Sequence, residues 1–278
     1  MILICKTKKV KKPDIKNLYK LNKNKMKKIF IVPILIGFIT SLSAMAQTNE
    51  EQYAKAYKLK LEFKYKEAFP MFQALLKSDS NNVNYEQFAS YCYSKYGFYY
   101  APEAEKMKYY KTAEYLAKKA IKINEAMADA HYAYAMALGR INENASSKQK
   151  IANAKLIKTE VDRAIALNPR LAGAYHILGR WNRTIADFNG VEKIMINSFF
   201  GGVPPGGSFE DAVKAFMTAI SIEPKYMPHQ YELAQTYYDM GKSVEAKLWA
   251  KKALEITPSN DDDRKAKTDC ETLLKKLN

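Results

Sequence analysis

Between Met227 and Asn260 the chain reads MPHQYELAQTYYDMGKSVEAKLWAKKALEITPSN, with small or apolar residues recurring at helical spacing between polar ones. Numbered 1 to 34, this segment has Leu233 and Ala234 at positions 7 and 8, Tyr237 at 11, Ala246 at 20, Ala250 at 24 and Ala253 at 27. Two such runs on either side of Gly241, at position 15, predict a pair of packed helices. The small residues at 8, 20 and 27 let the two helices approach closely. Gly241 closes the first helix, where a left-handed residue is needed, and Pro258 at position 32 stops the second.

The same frame fits upstream. Position 8 is filled by Ala56, Ser90, Ala135, Gly179 and Ala234, position 20 by Ala68, Ala113 and Ala212, and position 27 by Ala120, Ala164 and Ala219. These phases and the 34-residue length resemble a tetratricopeptide repeat. The expected fold is therefore all-α: a tetratricopeptide-type helical-hairpin solenoid of about five units, at about 49–82, 83–127, 128–171, 172–226 and 227–260. The position-8 residues are 34, 45, 44 and 55 residues apart, so units two to four carry insertions between the two helices of each pair. Such insertions either build one side of the array or lengthen the helices. After Asn260, DDDRKAKTDCETLLKKLN begins with acids suited to a helix N-terminus and aligns Leu273, Leu274 and Leu277 on one face. It predicts a capping helix over 261–278, covering the last unit's apolar face.

In a stack of this kind the first helices line the concave side, and positions 5, 9 and 12 share one face. Six of the fifteen residues there are Tyr, including Tyr57, Tyr91, Tyr132, Tyr231 and Tyr238, with Gln235 beside the last two. Tyr presents a rigid apolar ring with a hydrogen-bonding tip, which suits a groove gripping a peptide or protein; packing between helix layers is the plainer use. In unit four the column becomes His176, Arg180 and Arg183, a set able to hold a carboxylate or phosphate, or else to pair with acids of the insertion such as Asp187 or Glu192. The Lys at position 5 and Asn at position 9 of chaperone-binding members of this repeat class are absent.

Charge and the first residues change the picture of where such a groove would work. The formal net charge is +16, but residues 1 to 46 hold eleven Lys and one acid, Asp14, leaving 34 basic and 28 acidic residues beyond. A nucleic-acid partner is therefore not expected. From Met26, MKKIFIVPILIGFITSLSAMA has a short basic region, an apolar stretch and a small-residue A-x-A end, the order of a secretory signal. The expectation is a non-native upstream extension at 1–25, a signal peptide at 26–46 and a repeat domain at 47–278, exported to a periplasmic or extracellular site. Membrane contact would come only through an uncleaved leader, since 18 apolar residues approach the length of a span. Removing the leader leaves Cys92 and Cys270, and because units of a repeat array touch only their neighbours, these are expected to be buried and unpaired.

Recognisable chemistry is scarce. His131, His176 and His229 fall in different units with no close ligand pair, so no metal site is expected. Gly241 to Ser243 resembles the end of a phosphate loop but lacks the upstream Gly, and no G-x-S-x-G occurs. No catalytic residues and no cofactor are expected; a buried cluster of titratable groups in the groove would point instead to an enzyme.

Three segments of the second half carry a family likeness: LGRW at Leu178 to Trp181, FFGGVPP at Phe199 to Pro205, and FEDAVKAFMTAISIEP at Phe209 to Pro224. From Ala172 to Leu274 the chain resembles the regulator of microtubule dynamics family, with Gly179, Arg180, Trp181, Phe200, Gly201, Pro204 and Pro205 at the motif positions. FFGGVPP has one residue more than the family segment between Phe-Gly and Pro-Pro. The resemblance implies a repeat fold with a loop beside its groove, Ile196 to Ser208, and a microtubule- or membrane-associated regulator. Together, groove and missing chemistry point to an exported scaffold that binds a peptide or protein, and unit four is the place to look.

Overall fold

The computed structural model describes residues 48–188, 196–198, 202 and 206–277. The compact body runs from Gln52 to Asn278. Its helices are α1 (48–61), α2 (Tyr65–Ser78), α3 (Val83–Tyr99), α4 (Glu103–Ile123), α5 (Ala128–Asn142), α6 (Ser147–Leu167), α7 (Ala172–Asp187), α8 (Phe209–Ile222), α9 (Met227–Asp239), α10 (Ser243–Leu254) and α11 (Asp261–Leu277). Helices pair within each unit, first helices of successive units lie side by side (α3 on α5, α5 on α7, α7 on α9), and α11 covers α9 and α10. This is the helical-hairpin solenoid with its cap.

The frame of small residues explains the pairing. Ala56, Ser90, Ala135 and Ala234 at position 8 are fully buried, as are the alanines at positions 20 and 27. Ser90 Oγ donates to the carbonyl of Ala113, at 2.8 Å, joining positions 8 and 20 of one unit. At Gly179 even a Cβ would come within 2.7 Å of the Phe216 ring. Gly241 has φ 73°, as a helix-closing residue requires. The insertions of units two and three lengthen helices: α4 and α6 each run 21 residues. In unit four the added residues lie between α7 and α8, and Phe200, Gly201, Pro204 and Pro205 fall outside the described residues.

One expectation is overturned. Distant units do meet, because the array turns back until its first two units touch the capping helix. Phe63 stacks on Tyr226, ring centroids 5.3 Å apart. Asp262, at the start of α11, receives Lys95 Nζ at 2.8 and 2.9 Å, Tyr65 OH at 2.9 Å, Tyr226 OH at 2.8 Å and the hydroxyl of Tyr99. Next to it, Tyr100 OH donates to Asp261. Asp263 serves the helix cap instead: its backbone N–H donates to Asn260 Oδ1 at 2.9 Å and its carboxylate accepts from Asn260 Nδ2 at 2.7 Å. Cys92 and Cys270 are indeed buried and unpaired, although the separation of units is not the reason.

The closure is also visible in the backbone. Phe63 occupies position 15 of the first unit, the place Gly241 holds in the fifth, and adopts φ 57°. A left-handed non-glycine residue costs about 1 kcal/mol. Here the cost is offset by the ring, which stacks on Tyr226 and meets Tyr65 edge-on.

Burial alone would push the Asp262 carboxyl up, but the Lys95 ammonium and the hydrogen bonds around it hold it at about 2. Its folded value lies below the ordinary 3.8, so its charged form stabilises the fold above about pH 4, and that contribution, about 2 kcal/mol, is lost as pH falls through 2. Asp262→Asn, which leaves Lys95 buried without a counter-charge, is expected to cost about 3 to 5 kcal/mol. The double variant Lys95→Met, Asp262→Leu should recover the part of that loss due to the unpaired ammonium, while the hydroxyls of Tyr65, Tyr99 and Tyr226 still lack their acceptor. Urea unfolding from pH 7 to pH 2 measures both effects; equal stability of wild type and Asp262→Asn at pH 7 would contradict the closure.

Candidate functional site

The closed array borders a half-open space. A cavity of about 1020 Å³ lies between the first helices of all five units, the second helix of unit three, and the turns at Glu223 to Tyr226 and at Ser259 and Asn260. One part of its wall is apolar, with Ile151 and Ile157 from α6 facing Ile177, Trp181 and Ile185 from α7. The elsewhere polar wall includes Lys60, Tyr91, Tyr132, His176, Arg180 and His229.

The sequence-predicted residues divide between this wall and the surrounding structure. Tyr91 is buried, its hydroxyl 3.1 Å from that of Tyr65, so it donates to the oxygen that itself donates to Asp262. Tyr132 stands with its ring against the start of α7, where a Cβ on Gly173 would come within 2.6 Å of it. His176 Nδ1 lies 2.9 Å from His229 Nδ1. One of the two nitrogens must donate and the other accept, so the pair cannot carry protons on both. Burial, then the neighbouring His229, pushes the His176 imidazole well below its usual value, so it is neutral at pH 7. Arg180 reaches the cavity with half its side chain exposed.

The other predicted residues lie outside the lining. Tyr57 packs between α1 and α3, 4.9 Å from Phe88 between centroids. Arg183 is engaged by the next unit: its guanidinium meets Glu232 at 2.6 Å and Asp239 at 3.5 Å and donates to the Glu232 carbonyl at 3.1 Å. Its acids come from α9 rather than from Asp187, and Glu192 falls outside the described residues. Tyr231 joins the apolar cluster of the last unit and cap, Gln235 donates to Asp239 at 2.7 Å, and Tyr238 is partly exposed. Of the motif residues, Gly179 packs on Phe216 and Trp181 is buried, donating Nε1–H to the Ala154 carbonyl at 2.8 Å.

Residues missed from sequence include Lys95, Tyr226, His229 and Phe63. Phe63 carried a signal, a bulky residue where the frame needs a helix-closing glycine. Lys95 carried none, because its partner is 167 residues away.

The titratable groups at this wall include the buried His176–His229 pair, with Arg180 beside it. Both oxygens of Asp262 are saturated by protein donors. Burial pushes the Cys92 and Cys270 thiols up to about 12, far from a reactive thiolate. Among the described residues no group of three or more His, Cys, Asp or Glu is placed to bind a metal.

Residues 45–278 match the family model described as Regulator of microtubule dynamics protein 1-3. Regulator of microtubule dynamics protein 1 of Bos taurus is 32% identical over 174 residues, 62% of this chain and 54% of that protein. The Homo sapiens protein of the same name is 31% identical over 173 residues, again 62% and 54%. The chain thus spans about half the length of the curated relatives it matches. Among solved structures, a thermophilic TPR protein of Thermus thermophilus superposes with a TM-score of 0.60 at 16% identity, covering 81% of this chain and 98% of that one. That similarity shows the fold.

Glu232 sets up a stability contrast between the two arginines. Burial pushes its carboxyl up, yet Arg183 and then Arg180 overcome this and hold it at about 2. Arg183→Met leaves the buried Glu232 short of its main partner and should cost about 3 to 5 kcal/mol. Arg180→Met, at a half-exposed contact of 3.5 Å, should cost less than about 1 kcal/mol. Thermal unfolding distinguishes them; equal losses would contradict the division of roles.

Proposed function

Because the chain belongs to the Regulator of microtubule dynamics protein 1-3 family, we propose that it is a non-enzymatic scaffold holding an extended segment of a partner protein in its central cavity. The observation that carries this reading is the half-open cavity itself, large enough for several residues of peptide and lined by rigid aromatic, apolar and basic side chains. The balance of 34 basic and 28 acidic residues beyond position 46 supports a protein partner over a nucleic acid.

We also propose that residues 26–46 direct export and are removed after Ala46. The family match begins at residue 45, which supports placing the leader outside the shared fold. The second reading, a microtubule- or membrane-associated regulator inside the cell, is favoured by the name that the relatives carry. Mass spectrometry of the mature N-terminus separates the two. Gln47 is expected, whereas a chain starting at Met1 or Met26 that co-sediments with microtubules would overturn export and favour the second reading.

Met136→Trp, which enlarges a half-buried lining residue, tests the cavity. It should abolish partner recovery while leaving the unfolding temperature within a few degrees of wild type. Retained partners with a filled cavity would move the binding site elsewhere.

A further inference from the structure

Three glycines inside helices are explained by crowding. A Cβ would come within 2.8 Å of Tyr109 at Gly97, within 2.6 Å of Tyr132 at Gly173 and within 2.7 Å of Phe216 at Gly179. Gly139 is different. It lies in the last turn of α5, its backbone is not left-handed, and a Cβ there would meet nothing within 4 Å. Glycine inside a helix is disfavoured relative to alanine because it has more freedom to lose on folding. No neighbour in the fold compensates for it here.

What Gly139 does provide is bare backbone on the cavity wall, one turn beyond Met136. Around the same cavity, six basic side chains stand against three acidic ones. Lys95 and Arg140 are matched, to Asp262 and Glu143. Lys60, Lys150 and Lys225 have no carboxylate within 4 Å among the described residues, and Lys60 instead sits 5.0 Å from the Tyr91 ring centroid. Arg180 reaches Glu232 only at 3.5 Å. The cavity therefore combines a surplus of basic over acidic side chains, an apolar wall and a place where another chain can approach a helix without a side chain between.

We propose that the cavity takes an acidic peptide with an apolar anchor, and that its main chain comes against α5 at Gly139. This rests on the reading of the cavity as a peptide site. The unmatched lysines and Arg180 receive the carboxylates, while the apolar anchor lies against Ile151, Ile157 and Trp181. Gly139 is kept at a cost to the helix because the bound backbone fills the room a methyl group would take.

The test uses the full chain and rhodamine-labelled decapeptide pools in which Leu, Ile and Phe alternate with Asp/Glu, with Ser/Gln or with Lys/Arg. Anisotropy should show the acidic pool binding tightest. Gly139→Ala should weaken that binding by about tenfold, as expected for a methyl-sized misfit, while raising the unfolding temperature by about 2–4 °C. Lys60→Met with Arg180→Met should weaken it as well, and the eleven lysines of residues 1–46 are common to the wild type and every variant. An acidic pool that binds no better than the neutral one overturns the ligand class. Binding lost in Met136→Trp but unchanged in Gly139→Ala overturns the approach at α5 alone. Binding unchanged in both variants overturns the cavity reading on which it rests.

Discussion

Asp262 accepts hydrogen bonds from Lys95, Tyr65, Tyr99 and Tyr226 at once, tying α2, α3 and the start of α9 to α11 through one buried carboxylate. A stack of helical hairpins is normally held by neighbour contacts, so its ends are the places most easily frayed. Here the ends support each other. The arrangement works because every partner is accounted for: the ammonium balances the charge, the hydroxyls fill the remaining lone pairs, and the carboxylate stays ionised although surrounded by protein. Removing one member leaves the others buried and unmatched, so the cluster behaves as a single element.

Closure decides what the inner face of the array becomes. In an open superhelix the column of Tyr and basic residues would line a groove exposed along its length. With the ends joined, Tyr91, Tyr132, His176 and Arg180 line a half-open cavity, whereas Arg183 is taken up by ion pairs and Tyr231, Gln235 and Tyr238 of unit five lie outside the lining. Phe63 shows the same dependence at the level of the backbone, since its left-handed conformation is sustained by a stacking partner that only the closed array supplies.

The repeat was legible in the sequence because the residues that define it act locally. Small side chains at fixed phases allow close helix approach, and Gly241 and Pro258 end helices where they stand. The capping helix followed from the same local rules. Closure was not legible, because Asp262 sits in a run of three aspartates that resembles an ordinary helix start. The three nevertheless differ in what they hold, since Asp261 faces Tyr100 and Arg264, Asp262 joins the ends, and Asp263 completes the cap. The candidate site was legible in part. Its wall residues in units two to four shared a predicted face, but the face alone did not reveal that Arg183 would meet Glu232 on the next helix, or that Gly139 fronts open space.

The closed array and its cavity depend on the first two units and the capping helix being in contact in solution. Spin labels at Lys66→Cys and Arg264→Cys, with Cys5 replaced and the two buried thiols left in place, report on it by pulsed electron paramagnetic resonance. Lys66 lies beside Tyr100, and Tyr100 reaches Asp261 one turn from Arg264. A single short, narrow distance distribution is predicted, broadening and lengthening when Asp262→Asn is added. A long, broad distribution in the otherwise unaltered chain would contradict the closed array and the cavity with it.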